Sequence, residues 1–297
     1  MTARIIDGKQ VAAQMRLELK EQVDRLKEKG IVPGLGVVLV GEDPASKSYV
    51  TAKERACEEI GIYSDDNHLH AQTSQKDLLG LIARMNSDPS IHGILVQLPL
   101  PRSLDESQVL LAIDPAKDVD GFHPINVGKM VTGQEAFLPC TPHGVVQLLV
   151  RSEVRLEGAH VVIVGRSNIV GKPLANMLIQ KNKTGNATVT VCHTKTRDMA
   201  LHTRQADILI AAAGSPHAIT ADMVKPSAVV IDVGVNRVAD PSKKTGYRLV
   251  GDVDFEAVKE KASLITPVPG GVGPMTITML LYNTIQAALR HRVNAVT

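Results

Sequence analysis

Apolar and polar positions change period several times along the chain, and each change marks an element. From about Gly8 to Lys29, apolar residues recur at three- and four-residue spacing among many charges, which predicts an amphipathic helix. Gly36 to Gly41 is a short apolar run of the buried-strand type. Asp43-Pro44-Ala45-Ser46 reads as a helix entry, and the helix continuing to Ile60 sets Ser46, Tyr49 and Lys53 on one face. A further helix is expected over Gln75 to Met85 and an apolar strand over Gly93 to Leu98. Between Asp114 and Pro142 the periodicity fails, and so long a stretch is expected to be either a functional or a disordered loop. Helical spacing resumes over Pro142 to Arg151. Apolar runs at His160 to Val164, Ala187 to Cys192, Asp207 to Ala212 and Ala228 to Val233 then alternate with helical segments. That order predicts an α/β chain whose second half holds a parallel, doubly wound sheet. Pro267 to Thr276, P-V-P-G-G-V-G-P-M-T, packs three prolines and three glycines into ten residues and is expected to be neither helix nor strand. A last helix is expected from about Met275 to Arg290.

Composition narrows the function classes. A length of 297 residues suggests two domains, and 44% hydrophobic with 22% charged residues and a net charge of +2 describe a globular chain with no broad electrostatic partner. With no Trp, three Phe and four Tyr there are few platforms for stacking nucleic-acid bases, so no nucleic acid is expected as a partner. Cys57, Cys140 and Cys192 are far apart and form no C-x-x-C pair, which suggests neither a disulfide framework nor a zinc site. The ten histidines make no metal-like cluster with acids, and no metal is expected. The first residues lack the apolar run of a signal peptide, and no uncharged apolar stretch reaches membrane-spanning length. A cytoplasmic protein that does not engage a membrane is expected.

The strand at His160 to Val164 runs into G-R-S-N-I-V-G-K-P, Gly165 to Pro173, and then into a helix. Glycine allows a tight turn, and a helix N-terminus offers N–H groups and partial positive charge to a phosphate. The pattern G-x-S-x-x-x-G departs from the usual G-x-G-x-x-G and fits either a dinucleotide site or a tight structural turn. The next strand ends in C-H-T-K-T rather than at an acid that would hold a ribose 2′-hydroxyl. Arg166, Ser167, Thr194 and Lys195 could donate to a 2′-phosphate, which favours NADP over NAD.

Five motifs in order, S-K-S-Y-V-T-A-K, V-Q-L-P-L-P, K-D-V-D-G-F, G-R-S-N-I-V-G-K-P and P-V-P-G-G-V-G-P-M-T, resemble those of the bifunctional methylenetetrahydrofolate dehydrogenase/methenyltetrahydrofolate cyclohydrolase family across nearly the whole chain. The resemblance implies a folate-binding catalytic domain at 1–140 plus 275–297 and a Rossmann-like NADP-binding domain at 141–274, with the last helix returning to the first. It implies NADP⁺-dependent oxidation of 5,10-methylenetetrahydrofolate and hydrolysis of the methenyl product to 10-formyltetrahydrofolate, both in one cleft, by a homodimer. By the same resemblance Lys53, Gln97 and Tyr49 are catalytic, Tyr49 stacking on the folate rings and Gln97 bonding the lysine. Asp120 reads the pterin, and Gly270 and Gly271 approach the folate. Thr141, Gly165, Arg166, Ser167, Ile169, His193, Thr194, Gly214, Val235, Gly273 and Thr276 are assigned to the cofactor. Thr194 stands where many relatives carry serine, which keeps the hydroxyl and adds a methyl. Two other classes fit parts of the pattern: another two-domain NADP enzyme of the shikimate dehydrogenase type, with no use for Tyr49 and Asp120 as a pterin clamp, and a non-catalytic NADP-binding module.

Overall fold

A computed structural model describes residues 2–243 and 246–296, leaving out the side chains of Ala45 and of residues 292–296. The chain forms two compact units, Met1–Ala12 with Thr141–Thr276, and Ala13–Cys140 with Ile277–Thr297. In chain order the elements begin with β1 (Arg4–Ile5), α1 (Gly8–Lys27), β2 (Gly34–Val40), α2 (Pro44–Ile60), β3 (Tyr63–Leu69), α3 (Gln75–Ser87), β4 (Gly93–Val96), α4 (Glu106–Ala112), α5 (Pro124–Val131) and α6 (Cys140–Arg151). They continue with β5 (His160–Val164), α7 (Gly171–Leu178), β6 (Thr188–Cys192), α8 (Met199–Thr203), β7 (Ile208–Ala211), β8 (Val229–Asp232), β9 (Asn236–Ala239), β10 (Tyr247–Val250), α9 (Phe255–Val258), β11 (Leu264–Ile265) and α10 (Val272–Val296).

The unit of Ala13–Cys140 is built on a three-stranded parallel sheet in the order β3-β2-β4. Strand β2, G-L-G-V-V-L-V, is buried along its whole length, as a central parallel strand with both faces covered must be. Helix α3 presents Leu78, Leu81, Ile82 and Met85, one apolar stripe, to Val38, Val40, Ile94 and Val96. The helix entries follow local chemistry. Asp43 accepts from the Ser46 backbone N–H at 2.8 Å ahead of Pro44 in the first turn of α2, and Ser74 caps α3 by accepting from the Asp77 N–H.

The other unit carries six parallel strands in the order β1-β11-β8-β7-β5-β6. Antiparallel β9 and β10 form a separate pair. Val162, Val164, Leu209, Ala211, Val230 and Ile265 from the central strands make its core. The α/β class and the parallel sheet expected from periodicity are present.

Three expectations change, and one strand is present where none was expected. Residues 1–12 belong with the six-stranded unit, because β1 pairs in parallel with β11, where the expected boundary gave 1–140 wholly to the other domain. The stretch Asp114 to Pro142 contains the eight-residue helix α5, capped by His123 and opened by Pro124. The polar segment Y-S-D-D-N-H-L is a strand, since pairing with β2 along its length supplies the ladder that its own residues do not predict. Within Pro267 to Thr276, residues from Val272 onward are helical. Pro274 falls in the first turn of α10, where a missing N–H breaks no helical bond.

Beyond β4, Asp118 organises the chain before α5. It is 2% exposed, and its carboxylate accepts from the N–H of Phe122 at 3.2 Å and of His123 at 2.8 Å and from Asn126 Nδ2 at 2.8 Å. Burial pushes its carboxyl up to about 6, against the pull of those hydrogen bonds. An acid that folding makes weaker holds its proton better in the native state. Its contribution to stability is therefore complete below the ordinary carboxylate pKa and is lost as pH rises through about 6. Asp118→Asn should remove that slope: between pH 4 and 7 the wild type should lose about 2–3 kcal/mol more stability than the variant, read from urea unfolding at each pH.

Candidate functional site

In the three-stranded unit, helical spacing on α2 and the end of β4 bring the expected residues together. Ser46 and Lys53 are buried, Lys53 at 6% exposure, while Tyr49, one turn before Lys53, is 38% exposed, with burial raising the pKa of its hydroxyl. Lys53 Nζ donates to Gln97 Oε1 at 2.9 Å. The Gln97 amide cannot turn over freely, because its Nε2 donates to the Leu98 carbonyl at 2.6 Å, and that leaves Oε1 as the acceptor facing the lysine. Asp120, half-buried on the turn after Asp118, lies within electrostatic reach of Lys53. Burial raises its pKa, opposed by the lysine charge and by the Cys140 thiol. Gly121 follows with a φ of +72°, and a Cβ there would lie 2.7 Å from the Leu138 carbonyl carbon, so the turn beside Asp120 requires glycine.

Two residues of this neighbourhood were not found from sequence. Cys140 has its thiol 3.4 Å from the Val119 carbonyl and bonded to Asp120, and burial drives its pKa well above the ordinary value. Asn283, on α10, donates from Nδ2 to the carbonyls of Val119 at 2.8 Å and Leu138 at 2.9 Å. The available signal was a polar Asn inside the apolar run M-L-L-Y-N-T-I, a position that must find partners when buried.

In the six-stranded unit the expected cofactor residues from Gly165 to Val235 follow the C-terminal ends of adjacent parallel strands, where α/β sheets take ligands, while Thr141, Gly273 and Thr276 lie on α6 and α10. Val164 of β5 is in register with Cys192 of β6, so the turn at Gly165–Ile169 lies beside His193 and Thr194. Gly165 has a φ of +136°, and a Cβ there would sit 2.1 Å from the Ala212 carbonyl oxygen. Gly171 approaches the Gly165 carbonyl as closely, so the turn between them accepts no side chain at either end. Ser167 Oγ accepts from the Val170 N–H at 3.1 Å, just ahead of α7. Arg166, Ser167, Thr194 and Lys195 are all exposed. A glycine cradle at a helix N-terminus, with an arginine, a lysine and hydroxyls free to donate, fits a phosphorylated dinucleotide. Gly214 and Val235 follow β7 and β8 on the same edge. Thr141 and Thr276 are hydrogen-bonded at 2.9 Å between their hydroxyls. Gly270 has a φ of +109° with the Lys9 side chain beside it, and Gly271 packs on Thr266 and Pro267. Gly273 lies in the first turn of α10.

The cysteines are buried free thiols, and among the described residues no three His, Cys, Asp or Glu side chains gather as a metal site. No helix among them is long and apolar enough to cross a membrane.

The comparisons with known proteins agree along the whole chain. Residues 6–120 match the family model of the tetrahydrofolate dehydrogenase/cyclohydrolase catalytic domain, and residues 139–292 match that of its NAD(P)-binding domain. The chain is 63% identical over 288 residues to the bifunctional protein FolD of Syntrophus aciditrophicus, covering 97% of this chain and 98% of that one. A Campylobacter jejuni FolD methylenetetrahydrofolate dehydrogenase/cyclohydrolase crystal structure aligns with a TM-score of 0.91 at 53% identity, covering 97% and 99% of the two chains. The Trypanosoma brucei enzyme, solved with NADP cofactor and inhibitor, aligns at 0.93 with 41% identity over 98% of each. A Thermus thermophilus shikimate dehydrogenase shares the fold alone, with a TM-score of 0.52 at 14% identity. The chain belongs to the tetrahydrofolate dehydrogenase/cyclohydrolase family.

Proposed function

We propose that this chain carries out both reactions of its family with the residues set out above: oxidation of 5,10-methylenetetrahydrofolate with NADP⁺, and hydrolysis of the methenyl product to 10-formyltetrahydrofolate. The observation that carries the assignment of residues is the Lys53–Gln97 hydrogen bond with Asp120 beside it, in a chain whose two family domains are both present. NADP⁺ accepts the hydride in the first step, which asks the protein for alignment rather than for acid or base.

The second step needs a group that can hold a proton. Water adding to the amidinium carbon must lose a proton, and opening of the ring places one on nitrogen. Nζ of Lys53 is the group for this, and Gln97 Oε1 fixes one of its N–H bonds so that the remaining face of the nitrogen is directed elsewhere. Gln97 is thus a positioning residue as much as a contact. Asp120 offers two acceptor oxygens to the amino-pyrimidine edge of a pterin, and the ring of Tyr49 offers a stacking surface. Gly270 and Gly271 are assigned to the folate by the family likeness, as residues with no side chain of their own.

For the cofactor, Gly165 to Ile169 with His193, Thr194, Gly214 and Val235 form the binding edge, and Thr141, Gly273 and Thr276 complete it. Arg166 reads the 2′-phosphate. The chain acts as a homodimer in the cytoplasm on this reading, supported by its likeness to the family.

Lys53→Met should lower the rate of methenyltetrahydrofolate hydrolysis by about a hundredfold or more while folate still binds, as measured by absorbance decay and by ligand titration. Unchanged hydrolysis would remove the lysine from the mechanism. Arg166→Ala should raise KM for NADP⁺ roughly tenfold or more with little change in KM for NAD⁺, since a charge-assisted bond to phosphate contributes about 1.5–3 kcal/mol. Equal rises for the two cofactors would show that Arg166 does not distinguish them.

A further inference from the structure

Two carboxylates in the six-stranded unit lie outside the residues assigned so far, and both are almost completely buried, Asp252 at 0% and Asp232 at 3% exposure. A buried carboxylate is costly unless several donors meet it. Asp252 Oδ2 accepts from the backbone N–H of Ala213 at 2.6 Å and of Gly214 at 2.9 Å, and Oδ1 accepts from Ser215 N–H at 3.0 Å and Asn236 Nδ2 at 2.8 Å. Asp232 in turn accepts from the N–H groups of Gly234, Asp252 and Val253, each at 3.0 Å. Glycine at 234 and 251 is what admits them. A Cβ at Gly234 would lie 2.2 Å from Asp252 Cγ, and one at Gly251 would lie 1.7 Å from Asp232 Oδ2.

The groups held are at the sheet's ligand-taking edge rather than in its core. Three consecutive N–H groups converge on one anion only if the chain curls around it, and Gly214 provides the curl with a φ of +67°. The other side of that turn is open, since a Cβ at Gly214 would meet nothing within 4 Å. Through Asn236 the same carboxylate holds the segment leaving β8, on which Val235 stands exposed. One buried anion therefore shapes two exposed loops, after β7 and after β8, beside the Gly165 turn that abuts Ala212.

We propose that Asp252 is a positioning residue for the nicotinamide cofactor. It holds the Ala213–Ser215 turn and the Val235 segment in the shape that receives the dinucleotide, and Asp232 holds Asp252 from behind. The inference rests on the assignment of this edge to NADP.

The test is direct binding of NADP⁺ by titration calorimetry, alongside hydrolysis of methenyltetrahydrofolate measured without cofactor and urea unfolding as a check of fold. Asp252→Asn should raise Kd for NADP⁺ about tenfold or more, because the amide presents an N–H where an acceptor is needed. Asn236→Ala, which removes one donor of four, should raise it by a few fold. In both variants the kcat/KM for hydrolysis should stay within about twofold of wild type, a split that general destabilisation would not produce. If Asp252→Asn does not fold, Asn236→Ala decides. A folded variant of either kind that binds NADP⁺ as the wild type does, or that loses hydrolysis in parallel with binding, overturns the proposal. Arg166→Ala separates the two levels: if it weakens NADP⁺ binding while the Asp252 and Asn236 variants do not, only the positioning role fails. If none of the three affects binding, the assignment of the edge itself fails.

Discussion

Where a parallel strand ends, the backbone N–H groups just past it lose the neighbouring strand that would pair them. That constraint shapes both units of this chain, and the same device meets it three times. Asp118, Asp232 and Asp252 are each buried and each accept two or more backbone N–H groups from loops that follow or flank strand ends. A carboxylate is suited to this because its two oxygens accept several bonds at once and attract the positive ends of the amides. The cost of burying its charge shows in the raised pKa of Asp118 and of Asp232, each pushed up to about 6. Such loops cannot relax independently of the carboxylate, which gives residues borne on them fixed positions.

The candidate catalytic group depends on a second, weaker version of the same rule. Lys53 is buried on α2, and its amine needs a partner that does not neutralise it by pairing charge with charge. Gln97 provides one because the Leu98 carbonyl has already claimed its amide nitrogen. Asp120 stands close enough to be felt by the lysine, yet it is held by its own surroundings. Cys140 reaches its carboxylate, and Asn283 secures the carbonyls of Val119 and Leu138 on either side. Removing Asn283 would take its donor from the Leu138 carbonyl and leave the Val119 carbonyl with the Cys140 thiol, without touching any group given a chemical role, which is how a supporting residue differs from a catalytic one.

Much of this was legible in the sequence, for reasons that can be stated residue by residue. The apolar runs of β2, β4, β5, β7 and β8 are buried strands because both faces of a parallel sheet are covered, and α3 repeats its apolar stripe at helical spacing. Lys53 and Tyr49 share a helical face by spacing alone. Strand β3 was not legible, since Ser64, Asp65, Asp66 and Asn67 carry no strand preference and are held by β2. Nor was β1, a two-residue strand whose partner lies at the far end of the chain. The carboxylates at 232 and 252 were also missed. A sequence shows an aspartate among turn formers and gives no sign of whether its oxygens point to water or to three backbone amides.

The motif Pro267 to Thr276 shows how local composition can mislead and inform at once. Prolines and glycines together suggest a segment without regular structure, yet helix α10 begins inside it at Val272. A proline is harmless in the first turn of a helix, so Pro274 marks the entry and not a break. The glycines ahead of it have separate causes. A Cβ at Gly8 would lie 1.8 Å from the Gly271 carbonyl oxygen, so α1 starts against this backbone, while Gly270 takes a φ open to glycine beside Lys9. Thr276, one turn into α10, then bonds Thr141 in the first turn of α6, and Gly144 lets α6 approach Met275 closely. A side chain at Gly8 or Gly144 would push α1 or α6 off this segment, whereas one at Gly271 would meet Thr266 and Pro267 within it and Gly270 is required by its φ.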